Sequence, residues 1–346
     1  MKFLVIKQTS LGDVLHATPF IRAIKKHYPE AQIDVVVDKR ATDILSANPY
    51  IHRLHIVDIY RYEHSIFSSP VSCAATIRSF MSDIAAVRAE TYDAAFDLQG
   101  LARSAVFLYT ARAKSKFAKG RWLGIPHLYY KDIHAVHGLL QFLSFISVPD
   151  DGPALDFFLP EDIAQRVAHT LQKKNILLPK QYILYAPYSR WQTKDIPLET
   201  SIALLQQMAN RFKLPIVISA TNDYREQCIR MAEAVPRAIP LTVFTSLAEL
   251  GYVIQQAKGM VSVDSFPMHA ATAFDIPLVA LFGPTSEKRI GPLSRNSVVV
   301  RNSAIDCSRC YRRTCPYNHE CMRELSPETI ITSLATVMKQ SNDTSR

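Results

Sequence analysis

One stretch constrains the fold more than any other: residues 259–285, GMVSVDSFPMHAATAFDIPLVALFGPT. Residues 260–263 form a short apolar run, 268–274 read as a short helix, and 277–282 form a second apolar run closed by Gly283-Pro284. This is the pattern of a β-α-β unit. Its parallel strands point the same way, so the polar residues after them, Asp264-Ser265 and Gly283-Pro284-Thr285, collect on one rim of a sheet. Ser265 or Asp264 is suited to cap the intervening helix, and Pro267 fits its first turn because the amide it lacks would have no partner there. The helix then starts at the rim with N–H groups and a partial positive charge, which suits an anion and most simply a phosphate. A buried sheet with ordinarily capped helices gives the same runs, so pure scaffold is the competing reading.

The alternation recurs along the chain. Strands are expected at residues 2–7, 33–37, 54–57, 94–98, 182–186 and 215–219, and helices at 14–27, 71–89, 101–113, 137–148, 198–212, 224–234 and 248–257. Residues 61–69 read as a loop. Residues 149–153, Pro-Asp-Asp-Gly-Pro, are the best linker by turn chemistry, which predicts Rossmann-like domains at 1–150 and 151–346 with a cleft between them. The first turn holds only Gly12 where a dinucleotide fingerprint needs three glycines, which disfavours a nicotinamide or flavin enzyme; no cofactor is expected.

Charge and cysteine content narrow the class. A formal net charge of +9 favours an anionic partner, yet the basic residues are scattered, clustering only at Lys114, Lys116, Lys119, Arg121 and at Arg309, Arg312, Arg313, Arg323. No nucleic-acid motif or stacking platform accompanies them, so a phosphorylated glycolipid or a membrane surface fits better than nucleic acid. No apolar run reaches the ~20 residues of a membrane span and no cleavable leader opens the chain, so a cytoplasmic protein is expected. Four of the six cysteines form Cys307-x2-Cys310-x4-Cys315-x5-Cys321. Four thiolates in a short loop can chelate zinc or an iron–sulfur cluster, but the spacing lacks paired C-x-x-C knuckles, and metal binding stays open.

Four motifs then stand in order: residues 7–14 (KQTSLGDV), residues 97–100 (DLQG), residues 189–194 (SRWQTK) before Pro197, and Asp264-Ser265 with His269 and Phe282-Gly283-Pro284-Thr285. Together they resemble the bacterial lipopolysaccharide heptosyltransferases over nearly the whole chain. The resemblance implies an α/β GT-B fold whose C-terminal helix, at about 327–339, returns to the first domain. It also implies inverting, metal-independent transfer of heptose from an ADP-heptose donor to a sugar hydroxyl of the lipopolysaccharide core and lipid A acceptor, at the inner face of the inner membrane. Phe266 and Ile196 depart from the family's usual Gly and Trp.

Transfer by single displacement needs a base for the acceptor proton and positive charge for the departing diphosphate. Asp13 is the candidate base, after a strand end and a glycine that admits close approach; capping of its own helix is the alternative. Lys194 is the candidate counter-charge, helped by Ser189 and Thr193, and as a rim lysine it is expected to support little packing. His269 either donates to a phosphate or sugar oxygen or packs; Asp264, which would repel a phosphate, is assigned to donor hydroxyls or to orienting helix amides. Ser10, Gly12, Gln99, Ser265, Pro284 and Thr285 complete the expected substrate contacts. Two other classes compete: a GT-B nucleotide-sugar epimerase, and a non-catalytic sugar-binding protein.

Overall fold

The computed structural model describes residues 1–64, 70–244 and 246–344, which divide into two compact units, Met1–Phe158 and Leu159–Arg346. The first is built on β1 (Lys2–Ile6), β2 (Gln32–Asp38), β3 (Arg53–Val57), β4 (Thr91–Asp97), β5 (Arg112–Lys119) and β6 (His127–Leu128). They pair in parallel in the order β3-β2-β1-β4-β5-β6. The second holds β7 (Ile183–Ala186), β8 (Ile216–Ser219), β9 (Ala238–Leu241), β10 (Gly259–Val263), β11 (Leu278–Phe282) and β12 (Ser297–Arg301), parallel in the order β12-β11-β10-β7-β8-β9. Both are doubly wound sheets. In each the order reverses between the first and fourth strands of the unit, β1/β4 and β7/β10, the switch point beyond whose strand ends doubly wound sheets characteristically bind their ligands.

The central strands β1, β7, β10 and β11 are buried almost throughout, as parallel strands covered on both faces must be. Tyr185, Leu204, Leu205, Met208, Val261 and Val279 lie in the core of the second unit, where Ile196 is also only 2% exposed; Leu4, Ile6, Val36, Tyr92 and Phe107 lie in that of the first. Ile196 thus serves as a packing residue.

The expected boundary near residue 150 moves, because the linker belongs to the first unit. Arg22, 7% exposed at its side chain, binds Asp151 at 2.8 Å, Asp156 at 2.5 Å and the carbonyls of Gly152 and Ala154 at 2.9 and 2.6 Å. One guanidinium ties the turn down. The single helix expected at 14–27 is two, Leu11–His16 and Thr18–His27, since Pro19 has no N–H to continue the ladder. The loop expected at 61–69 overlaps the helix Ile59–His64, and its remainder, 65–69, lies outside the described residues. The C-terminal helix Pro327–Thr344 packs on β10, β11, β12 and the helix Leu198–Phe212, all of the second unit. Among the described residues no helix is long and apolar enough to cross a membrane.

Candidate active site

The first centre forms where β1 and β4 end. β1 runs out into Lys7-Gln8-Thr9-Ser10, and the helix Leu11–His16 begins with Gly12 buried in its first turn. Asp13 stands at the third position of that helix, where its Oδ2 accepts from Ser10 N and Ser10 Oγ, each at 3.3 Å. Capping is therefore part of its role. It also faces cations: Lys7 Nζ and His16 Nδ1 each lie 3.9 Å from its carboxylate, Lys7 with its side chain only 4% exposed and Asp13 with 41% exposed. Burial acts to raise the Asp13 pKa, but Lys7, then His16, the Ser10 N–H and Lys119 outweigh it and hold it at about 2. Lys7 is shifted down, chiefly by burial, although Asp13 opposes this.

Gln99 acts on this centre through the backbone, its Oε1 accepting from Thr9 N at 3.0 Å. The turn that presents it is fixed by Asp97, whose Oδ1 accepts from Gln99 N and Gly100 N at 2.9 and 3.0 Å and whose Oδ2 accepts from Ser104 Oγ at 2.9 Å. Gly100 has φ +75°, and a Cβ there would sit 2.6 Å from Lys119 O, so only glycine fits. Thr9 is held again by Arg103 Nη2 at 2.8 Å.

The second centre forms where β7, β10 and β11 end. Lys194 closes a short 3-10 turn after β7, and its Nζ donates to Asp264 Oδ2 at 2.7 Å; the two side chains are 13% and 4% exposed. This corrects the reading of Lys194 as a rim lysine of little structural weight, because it neutralises a buried carboxylate. Thr285 Oγ1 donates to the same Oδ2 at 2.6 Å, and His269 Nε2 lies 3.9 Å from Oδ1. Asp264 is thus the hub that joins β10, β11 and the lysine turn. Ser265 does not cap the helix Phe266–Ala273 with its own side chain: its Oγ turns back to Val263 O at 3.2 Å, and Asp264 is engaged with Lys194 and Thr285.

Ser189 and Thr193 shape the lysine turn. Ser189 Oγ donates to Trp191 O at 2.9 Å, Ser189 N donates to Asp195 Oδ1 at 2.7 Å, and Tyr224 OH donates to Asp195 Oδ2 at 2.7 Å. Thr193 Oγ1 donates to Arg312 O at 2.7 Å, while Pro284 O accepts from Tyr311 N at 2.8 Å. At Gly283 an added Cβ would meet Met322 Sδ at 2.5 Å and Cys321 Sγ at 2.9 Å, which accounts for glycine before Pro284. The four cysteines line a cavity of about 380 Å³ together with Thr193, Pro284 and Arg312. All four are free thiols, and among the described residues no trio of His, Cys, Asp or Glu has a metal-holding arrangement.

The sequence-selected residues therefore fall into two clusters at the crevices of the two sheets: Ser10, Gly12, Asp13 and Gln99 in one, Ser189, Thr193, Lys194, Asp264, Ser265, His269, Pro284 and Thr285 in the other. The model of glycosyltransferase family 9 (heptosyltransferase) matches residues 81–320. The chain belongs to that family. Lipopolysaccharide heptosyltransferase 1 of Escherichia coli strain K12 is 30% identical over 87% of this chain and 93% of its own length. Its namesake from Pseudomonas aeruginosa is 26% identical over 98% of both chains. Among solved structures, E. coli heptosyltransferase WaaC with ADP is 23% identical, covers 97% of this chain and 100% of its own, and superposes with TM-score 0.76. The same enzyme with ADP-2-deoxy-2-fluoro heptose is 25% identical over 87% and 93%, at TM-score 0.69. The fold is accordingly GT-B, and this family 9 chain is a glycosyltransferase of the heptosyltransferase type.

Sequence reasoning passed over Lys7 as a candidate, although it lies in the quoted first motif; only its placement opposite Asp13 brings it into the first cluster. It passed over Asp195 and Tyr224 as well, which brace the lysine turn.

Proposed function

We propose that this enzyme moves a heptosyl group from ADP-heptose to a sugar hydroxyl of the lipopolysaccharide inner core, with inversion and without a catalytic metal. The observation that carries the reading is the Lys194, Asp264 and Thr285 cluster beside the start of the helix Phe266–Ala273, in a chain matched over most of its length by lipopolysaccharide heptosyltransferases. The relative solved with an ADP-heptose analogue supports the donor. Family membership favours transfer over epimerisation or sugar binding alone.

The acceptor oxygen attacks the anomeric carbon as the bond from that carbon to the ADP oxygen breaks and ADP leaves with the electron pair. One displacement inverts the centre. Lys194 and the amides at the start of Phe266–Ala273 offset the charge gathering on the departing diphosphate, the service a metal would otherwise supply. Asp13 takes the acceptor proton. A carboxylate with a pKa of about 2 is a weak base toward a free hydroxyl. An oxygen already bonding to the anomeric carbon is a far stronger acid, so transfer to Asp13 is timed late, as that bond forms. The net charge of +9 suits peripheral attachment to the anionic inner face of the inner membrane.

The test is ADP release from ADP-heptose by the purified chain in the presence of a chelator, with the new linkage assigned by NMR. Release only when lipopolysaccharide acceptor is added, with an inverted linkage, is the expected result. Conversion of the nucleotide sugar without acceptor would point to the epimerase, and no turnover under any condition to a binding protein.

A further inference from the structure

Residues 307–318, CSRCYRRTCPYN, carry three arginines and no carboxylate. This cysteine loop is fastened to the lysine turn. Arg312 O accepts from Trp191 Nε1 at 3.0 Å and from Thr193 Oγ1 at 2.7 Å, and His319 Nε2 lies 2.6 Å from Thr193 O. Of the three arginines, Arg309 is committed to Glu287 by two contacts. Arg313 is exposed and stacks on the indole of Trp191, its Cζ 4.1 Å from the ring centroid; among the described residues no carboxylate pairs with it. Lys194 Nζ lies over the same ring at 4.8 Å, with its charge offset by Asp264.

Two cations share one indole, and only one of them has a counter-ion. We propose that Arg313 is a donor-binding residue, which together with Lys194 holds the diphosphate of the nucleotide sugar beside Trp191. The cysteine loop then supplies half of the anion subsite and is part of the donor site rather than a separate appendage. The inference rests on the reading of Lys194 as a diphosphate contact. The chemistry suits the role: a guanidinium presents a planar fork of N–H donors that matches phosphate oxygens, and stacking on an indole pre-orients the fork while leaving its edge available. The hydrogen bonds from Trp191 and Thr193 to Arg312 O fix the register of the neighbouring residue, so Arg313 reaches the ring from a held backbone.

The experiment is calorimetric titration of the full chain with ADP and with adenosine, for parent, Arg313→Ala, Arg313→Lys and Lys194→Met. Arg313→Ala is expected to raise the Kd for ADP roughly tenfold and to leave adenosine unchanged, as fits the loss of one charge-assisted phosphate contact. Arg313→Lys should recover part of the loss, since it restores charge without the fork. The side chain is exposed, so thermal melts of the Arg313 variants should overlay the parent. Unchanged ADP affinity in Arg313→Ala alongside weakened binding in Lys194→Met overturns the assignment of Arg313 and leaves the donor site standing. Unchanged affinity in both removes the diphosphate from this crevice altogether. An equal loss for ADP and adenosine overturns the phosphate role in favour of a general disturbance of the loop.

Discussion

Replacing Asp13 by Asn separates its observed contacts, capping and pairing with Lys7, from the base role proposed for it. Asparagine keeps an oxygen for the Ser10 N–H, so the cap survives. The ion pair does not. Depression of the Asp13 pKa from 3.8 to about 2 corresponds to roughly 2.4 kcal/mol at ~1.36 kcal/mol per unit. The carboxylate is 41% exposed, and solvent screening brings that figure to about 1 kcal/mol. Since the folded pKa lies below the unfolded one, this stability is fully present above about pH 4 and is lost as pH falls through about 2. Asp13→Asn should therefore unfold about 1 kcal/mol more readily in urea at pH 7, with the gap to parent narrowing at pH 3. Turnover should fall on the order of 10² to 10⁴-fold, measured as ADP release at saturating donor and acceptor, with donor affinity unchanged. Lys7→Met provides the control, because it breaks the same pair and keeps the Asp13 carboxylate proposed as the base. It should show a similar stability loss and a much smaller loss of turnover. Near-parental turnover in Asp13→Asn would refute the base assignment, and equal stability of both variants to parent would refute the ion-pair account.

Further expectations follow from the second unit. Lys194→Met leaves Asp264 buried with one hydroxyl partner and one histidine nearby, so it should cost roughly 3 kcal/mol in chemical unfolding, whereas the double variant Lys194→Met/Asp264→Asn should recover much of that without regaining ADP affinity; additive losses would show that the pair is not coupled. Cys321 is pushed up to about 11 by burial first and then by Cys315, Cys307 and Cys310, whereas Cys310 is exposed. A thiol reagent at pH 8 should modify Cys310 well before Cys321, read by mass spectrometry of tryptic peptides, and the reverse order would mean that the loop is packed differently.

The fold was legible where burial is two-sided. Residues 260–263 and 277–282 announce β10 and β11 because a strand covered on both faces is a continuous apolar run. β5, RAKSKFAK, escaped for the opposite reason: three lysines on a half-exposed strand read as a charge cluster, and two of them are in fact spent locally, Lys114 on Asp93 at 2.7 Å and Lys116 on Tyr109 O at 2.8 Å. β9 contains Pro240 and among the described residues pairs only with β8, as suits an edge strand.

Site positions were legible in the same measure, because the end of a buried parallel strand is fixed by its apolar run and the next polar residues must lie at the rim. What the sequence could not carry is which rim residues face one another. Asp13 and Lys7 are six positions apart, and their contact depends on how the chain turns at Thr9, itself pinned by Gln99 and Arg103 from beyond another strand. Lys194 and Asp264 are seventy positions apart, and they meet because β7 and β10 are neighbours at the point where the strand order reverses. That one adjacency decides whether Lys194 is a solvated cation or the counter-ion of a buried carboxylate. It also bears on donor binding: a lysine already paired brings less net charge to a diphosphate, so the unpaired cation on the same indole becomes the group to test.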